Sequence, residues 1–263
     1  MLSKRLASTT AIGLLLVAGA TACGDNDKPA ADGAAAGRTA AAPGLDTEKL
    51  TAEEIQKQAK DALAGAGSVK VVGTVNKDAE QISVDLAVDT KGQCKGTLSL
   101  PGAGKFELLG DGKQVWLKPD TAFLTSATEG KNPQAVELLK GRWIGGAQND
   151  PEMKELTTAC NLKELTKTFG AGDDSKATNI TKGSAGTVNG AKTFSVKSQN
   201  SSGGEVTLHV ATEGKPYPLR IEKSGKGGGQ MDFTDIDKAL TVQAPPADQV
   251  IDYSLFKDKV QAA

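Results

Sequence analysis

Ser68-Val69-Lys70-Val71-Val72-Gly73-Thr74-Val75 and, after a polar break, Ile82-Ser83-Val84-Asp85-Leu86-Ala87-Val88-Asp89 decide the fold class. Apolar residues recur at every second position, and Ser and Asp fill the gaps. Side chains of a strand point alternately to opposite faces, so this pattern predicts half-buried strands with one dry and one wet face. The pattern continues through Cys94, Gly96, Leu98 and Leu100, then Phe106 and Leu108. Asp111-Gly112, a strong hairpin signal, leads into Val115-Trp116-Leu117. Five strands with short connections predict an antiparallel meander.

Working outward, the period changes from two to helical on the N-terminal side. Thr51-Ala52-Glu53-Glu54 has capping-box spacing, and Ile55, Ala59, Ala62, Leu63 and Ala66 follow on one helical face before Gly67. On the C-terminal side, Asn132-Pro133 opens a short helix through Leu139. Asp150-Pro151 opens another, in which Met153, Leu156, Thr157 and Cys160 share a face, and Leu162, Leu165 and Phe169 extend the apolar surface. Strands return after Ala177. Asn189-Gly190 marks a hairpin before Thr193-Phe194-Ser195-Val196; Val206, Leu208 and Val210 alternate, then Tyr217, Leu219 and Ile221, and Met231 with Phe233 closes the set. About ten strands in two groups around a helical middle predict an α+β fold.

The first residues carry an address. Lys4 and Arg5 precede the apolar stretch from Ala11 to Ala18, too short for the ~30 Å of a hydrocarbon layer and of the length of a secretory signal. It ends in Ala20-Thr21-Ala22-Cys23, which resembles a bacterial lipobox, with Ala20 standing where Leu is usual. In that reading Cys23 carries a diacylglycerol and a palmitate-type acyl chain. The same Ala20-Thr21-Ala22 also satisfies the A-x-A rule of ordinary signal peptidase. Residues 1–22 are therefore expected to be a lipoprotein signal peptide and 23–46 a flexible Ala/Gly-rich tether. Residues 47–263 would form a single domain. The tether has a root-mean-square reach of about 26 Å.

With Cys23 acylated, Cys94 and Cys160 remain as an even pair in an oxidising compartment. A bridge between them would add about 3–4 kcal/mol on the loop-entropy model, and two buried free thiols are the alternative. The bridge would join the helix opened by Asp150-Pro151 to Cys94, placed at an edge of the first meander.

Composition removes most other chemistry. The 263 residues carry 31 basic and 32 acidic side chains, one His and three Cys. A balanced charge offers no field for a polyanion, so nucleic-acid binding is not expected. His209 shares its strand face with Glu205 and Thr207, expected in solvent, and lacks a second His for a metal site or triad. Asp232, Asp235 and Asp237 cluster, but without the Gly and Glu of a calcium loop they read as a solvated turn. No phosphate-loop or nucleophile-elbow motif occurs. Neither enzyme activity, metal nor cofactor is expected.

The aliphatic stripes admit two readings: an ordinary core packed on helices, or a sheet only partly collapsed on them that leaves an apolar slot. From roughly Thr51 to Asp252 the order of motifs resembles actinobacterial lipoproteins of the LppX/LprG type, within the LolA-like superfamily. Gly112-Lys113-Gln114-Val115-Trp116-Leu117, Gly141-Arg142-Trp143 and Val188-Asn189-Gly190-Ala191-Lys192-Thr193 carry the resemblance. So do Pro216-Tyr217-Pro218-Leu219-Arg220-Ile221 and the C-terminal Phe233-Thr234-Asp235-Ile236-Asp237 with Val242 to Asp252. The resemblance implies a LolA-like half-open antiparallel β-barrel wrapped around helices. It further implies an apolar cavity for the acyl chains of a lipid or glycolipid, on the extracytoplasmic face of the cell membrane. No catalytic residue is implied. From the period-two and helical stripes, the cavity lining is expected to be Val69, Val71, Ile82, Val84, Leu86, Val88, Leu98, Leu100, Phe106, Leu108, Met153, Leu156, Val206, Leu208 and Val210. A surface lipoprotein with a filled core and a protein partner is the alternative.

Overall fold

A computed structural model describes residues 44–77, 80–146, 148, 150–151, 158–171, 177–200, 203–225 and 227–261. Thr51 caps the first helix, α1 (Ala52–Ala64), through a reciprocal pair: its hydroxyl accepts from Glu54 N at 3.2 Å, and its own N–H donates to the Glu54 carboxylate at 2.7 Å. Ile55, Ala59 and Leu63 form the buried stripe, and Gly65 ends the helix. The meander follows as β1 (Ser68–Lys77), β2 (Glu80–Asp89), β3 (Gln93–Leu100), β4 (Gly104–Asp111) and β5 (Val115–Pro119). Its turns are built as the sequence requires. The Asp111 carboxylate accepts from Lys113 N and Gln114 N, both at 2.8 Å, and Gly112 takes φ +93°.

Two short helices, α2 (Thr121–Ala127) and α3 (Pro133–Leu139), begin at the side-chain caps Asp120 and Asn132. β6 (Trp143–Gly145) and α4 (Leu162–Ala171) come next. The second group of strands is β7 (Thr178–Val188), β8 (Ala191–Gln199), β9 (Glu205–Ala211), β10 (Pro218–Lys223) and β11 (Gly229–Thr234). Asn189 and Gly190, at φ +50° and +84°, turn β7 into β8. β12 (Val250–Asp252) and α5 (Tyr253–Gln261) complete the described chain.

All twelve strands form one sheet in the order β12-β6-β5-β4-β3-β2-β1-β11-β10-β9-β8-β7, with β12 and β7 as unpaired edges. The two groups expected from sequence are thus a single sheet, joined where β1 pairs antiparallel with β11. The fold is α+β with an open, predominantly antiparallel sheet, and five α-helices are present among the described residues. Three points differ from the sequence expectation. Short β6 and β12 raise the strand count, and β12 joins β6 in parallel, by a strap of irregular backbone over residues 238–246. β3 is flanked by β2 and β4, so Cys94 lies at the end of an interior strand and not at an edge. Cys160 sits in the turn before α4. The body of the helix expected from Asp150, with Met153 and Leu156, lies outside the described residues, as does Cys23.

One face of the sheet is covered by helices. α1 lays Ile55 and Ala59 against Val196, Leu208 and Val210. Leu63, Cys160 and Leu162 pack with the inner stripes of β1 to β5. Beside them Leu124, Val136 and Leu139 of α2 and α3 form a small core with Ile251 and Phe256. The backbones approach closely at two inner positions. A Cβ on Gly73 would lie 2.0 Å from the Gln230 oxygen, and one on Gly96 2.1 Å from the Asp85 oxygen. Only glycine fits there.

Candidate functional site

The strand registers sort the inner face into four rungs running across the strands. The first joins Val69, Val88, Cys94, Gly110 and Val115; the second joins Phe233, Val71, Leu86, Gly96, Leu108 and Leu117. Their side chains are all buried. The third rung runs from Val196 through Leu208, Ile221, Met231, Gly73, Val84 and Leu98 to Phe106, and the fourth from Val206 through Lys223, Gly229 and Val75 to Ile82. Leu100 is the next inner residue of β3 beyond Leu98.

Burial falls off along this series. Val75, Ile82, Val84, Leu98 and Leu100 point to the helix-covered face, yet all are only half-buried. On the β4 side Phe106 is closed off by Phe123 of α2, ring centroids 5.6 Å apart and edge to face. On the other side α1 covers Val196 and Leu208. Between these two walls lies a patch of aliphatic side chains with incomplete cover, contiguous with a fully dry core. Lys223 and the buried hydroxyl residue Ser198 bring polar character to its far rung. Such an arrangement suits an apolar ligand with a polar end.

The expected lining residues therefore divide. Val69, Val71, Leu86, Val88, Phe106, Leu108, Leu208 and Val210 are buried, and Ile82, Val84, Leu98, Leu100 and Val206 are half-buried. Sequence reading passed over Phe123, whose role comes from α2 folding back on β4, and Gly73 and Gly96, which carry no side chain to mark the close approach of neighbouring strands.

Cys94 and Cys160 form the expected disulfide, Cα atoms 5.1 Å apart and 66 positions apart in sequence. Gly110 makes room for it: a Cβ there would sit 2.9 Å from the Cys94 sulfur and 3.4 Å from that of Cys160. The bridge fastens the turn before α4 to the driest rung of the sheet.

The remaining sequence candidates have structural partners. The His209 side chain is only 21% exposed, less than a solvent position would give, and its Nε2 lies 3.6 Å from the Glu222 carboxylate without a hydrogen bond. Ser195, opposite it on β8, has its hydroxyl engaged with the Ser184 backbone, accepting from N at 2.9 Å and donating to O at 3.1 Å. It is not presented to His209 as a nucleophile. Arg220 grips Asp232 through two hydrogen bonds of 2.6 and 2.8 Å, which hold that carboxyl below its ordinary range. Asp235 pairs with Lys238 at 2.6 Å. Asp237 accepts from Tyr217 Oη at 2.5 Å and from Gly67 N at 2.8 Å, and its pKa is lowered to about 2, chiefly by the Tyr217 bond. Among the described residues no group of three or more His, Cys, Asp or Glu is placed to hold a metal. Among them, too, no helix is long and apolar enough to cross a membrane.

The class defined by these features is an open, predominantly antiparallel sheet with helices against an aliphatic inner face. No family model and no curated protein matches the chain. Among solved structures it is similar to LprF from Mycobacterium bovis, with 18% identity and a TM-score of 0.49, over 74% of this chain and 97% of that one. It is also similar to the lipoprotein LppX from Mycobacterium tuberculosis, at 15% and 0.48 over 72% and 96%. A LolA superfamily protein from Nitrosomonas europaea matches at 10% and 0.23 over 76% and 96%.

Proposed function

We propose that this chain is a membrane-anchored extracytoplasmic lipoprotein that binds the acyl chains of a lipid or glycolipid and carries or presents it, without catalysing a reaction. The observation that carries the reading is the half-buried end of the inner face. Val75, Ile82, Val84, Leu98 and Leu100 leave apolar area in partial contact with water, at a spot flanked by an already closed core. Covering it with an acyl chain gains about 0.8 kcal/mol per methylene, which a long chain turns into useful affinity with few fixed polar contacts. Cys23 is the anchoring residue in this proposal, residues 23–46 the tether, and residues 47–263 one domain above the membrane surface. A filled core with a protein partner is the competing reading, and the buried side chains of the first two rungs favour it. Native mass spectrometry and solvent extraction of the exported protein separate the two. Co-purifying acyl lipid, or saturable uptake of a fluorescent fatty acid, supports a carrier; neither, with a partner found by crosslinking, supports the alternative.

A further inference from the structure

The outer face of the sheet holds a second concavity, remote in chemistry from the aliphatic inner face. The strap over residues 238–246 leaves β11 and crosses to β12, pinned at its start by the Ser68 hydroxyl donating to the Lys238 oxygen at 2.5 Å. At its far end Arg142 donates to the Asp248 oxygen at 2.6 Å. Its middle, Thr241 to Gln243, stands over the outward residues of β3 and β4 and walls a groove of about 430 Å³.

The groove has a distinctive lining. Trp143 of β6 presents a half-buried indole, and Glu107 and Thr97, directly opposite each other across β4 and β3, supply a carboxylate and a hydroxyl. Lys95 and Gln243 add an ammonium and an amide, and buried Leu109 forms an apolar spot on the floor. Lys118 reaches over the indole, its Nζ 5.4 Å from the ring centroid, and lies 3.9 Å from the Glu107 carboxylate, which ties Trp143 and Glu107 into one wall.

This set selects by chemistry. An acyl chain would take water from Lys95, Thr97, Glu107 and Gln243 and return no hydrogen bond, a cost set against the apolar contact that Leu108, Leu109 and Val242 offer. A phosphate would meet Glu107 as well as the two lysines, with no bidentate guanidinium in the lining to hold it. A pyranose ring fits both demands: its C–H face lies on the indole in place of Lys118, whose ammonium then joins Glu107, Thr97, Lys95 and Gln243 in serving hydroxyls that are each donor and acceptor. The volume accommodates one or two such rings. We propose that the outer groove beneath the strap binds a sugar residue of a carbohydrate chain, independently of any acyl ligand on the inner face.

Saturation-transfer NMR on the full-length exported protein tests this, using methyl β-D-glucopyranoside and methyl α-D-mannopyranoside as probes in a detergent without sugar headgroups. Expected is transfer to the ring protons of at least one pyranoside, accompanied by a change in tryptophan fluorescence that Trp143→Phe removes. Glu107→Gln and Gln243→Ala, both at exposed positions, should weaken binding at least about fivefold. Trp143→Ala should abolish it and Trp143→Phe retain part of it. Fatty-acid uptake should be unchanged in Glu107→Gln, so this site and the inner face stand or fall separately. No transfer to either pyranoside at concentrations of about 50 mM, well above what a weak site requires, would overturn the proposal. So would displacement by inorganic phosphate, or equal binding by wild type and Glu107→Gln.

Discussion

At Gly96 one methyl group decides whether β2 and β3 can lie as close as they do. A Cβ would come within 2.1 Å of the Asp85 oxygen and 2.7 Å of Leu86 Cα, backbone atoms that cannot swing aside. Gly96→Ala should therefore destabilise the protein by about 1–3 kcal/mol, measured by urea unfolding, although alanine is otherwise harmless in size. A cost below a few tenths would mean that the strands relax freely at this point. Asp237 makes a different kind of contribution. Its folded-state pKa of about 2 lies below the ordinary 3.8, so the folded protein favours the carboxylate more than the unfolded chain does. The stabilisation is complete above about pH 4 and is lost as pH falls through about 2. Asp237→Asn should lower the urea midpoint at pH 7, with the gap to wild type closing between pH 4 and 2; with the side chain 40% exposed, the gap should be modest. A gap independent of pH would assign the effect to packing.

At the scale of elements, the disulfide is the clearest case. It links an interior strand to the turn before α4, so the register of β3 and the position of that turn are fixed together. Cys94→Ser should cost about 2–4 kcal/mol of stability and loosen the inner face. Non-reducing peptide mapping of the exported protein should show one Cys94–Cys160 crosslinked peptide, and free thiols at both positions would contradict the bridge. The element scale is also where sequence reading was strongest. Alternation from Ile82 to Val88, Asp111-Gly112 and Asn189-Gly190 are local signals, and each corresponds to a strand or turn in the structure. Trp143–Gly145 and Val250–Asp252 were not legible as strands. Three residues are too few to show a period, and their parallel pairing is brought about by a strap with no periodic signal of its own. The union of the two strand groups through β1 and β11 escaped for a related reason: those partners lie some 160 positions apart, and no local pattern specifies a non-local edge. Alternation told which face Leu86 and Val84 share. It could not tell that Leu86 is sealed and Val84 half-open, because that depends on where the helices end.

For the whole molecule the proposed function divides into an anchor and an apolar face, which can be tested apart. Cys23→Ala should release the protein from the membrane fraction or leave unprocessed precursor, and labelled palmitate should mark wild type alone. Processing and membrane retention equal to wild type would replace the anchor with ordinary secretion. The apolar face rests on the contrast between sealed and half-open rungs of one sheet. Fluorescent fatty-acid titration of the exported protein, comparing wild type with Leu98→Asn, addresses it most directly. Leu98 is half-buried, so the polar side chain keeps access to water and the fold should survive, as near-ultraviolet circular dichroism would show. Expected is saturable uptake by wild type and at least about a tenfold loss in Leu98→Asn, the equivalent of about 1.4 kcal/mol. No uptake by wild type, or the same affinity in a folded Leu98→Asn protein, would contradict an acyl-binding inner face.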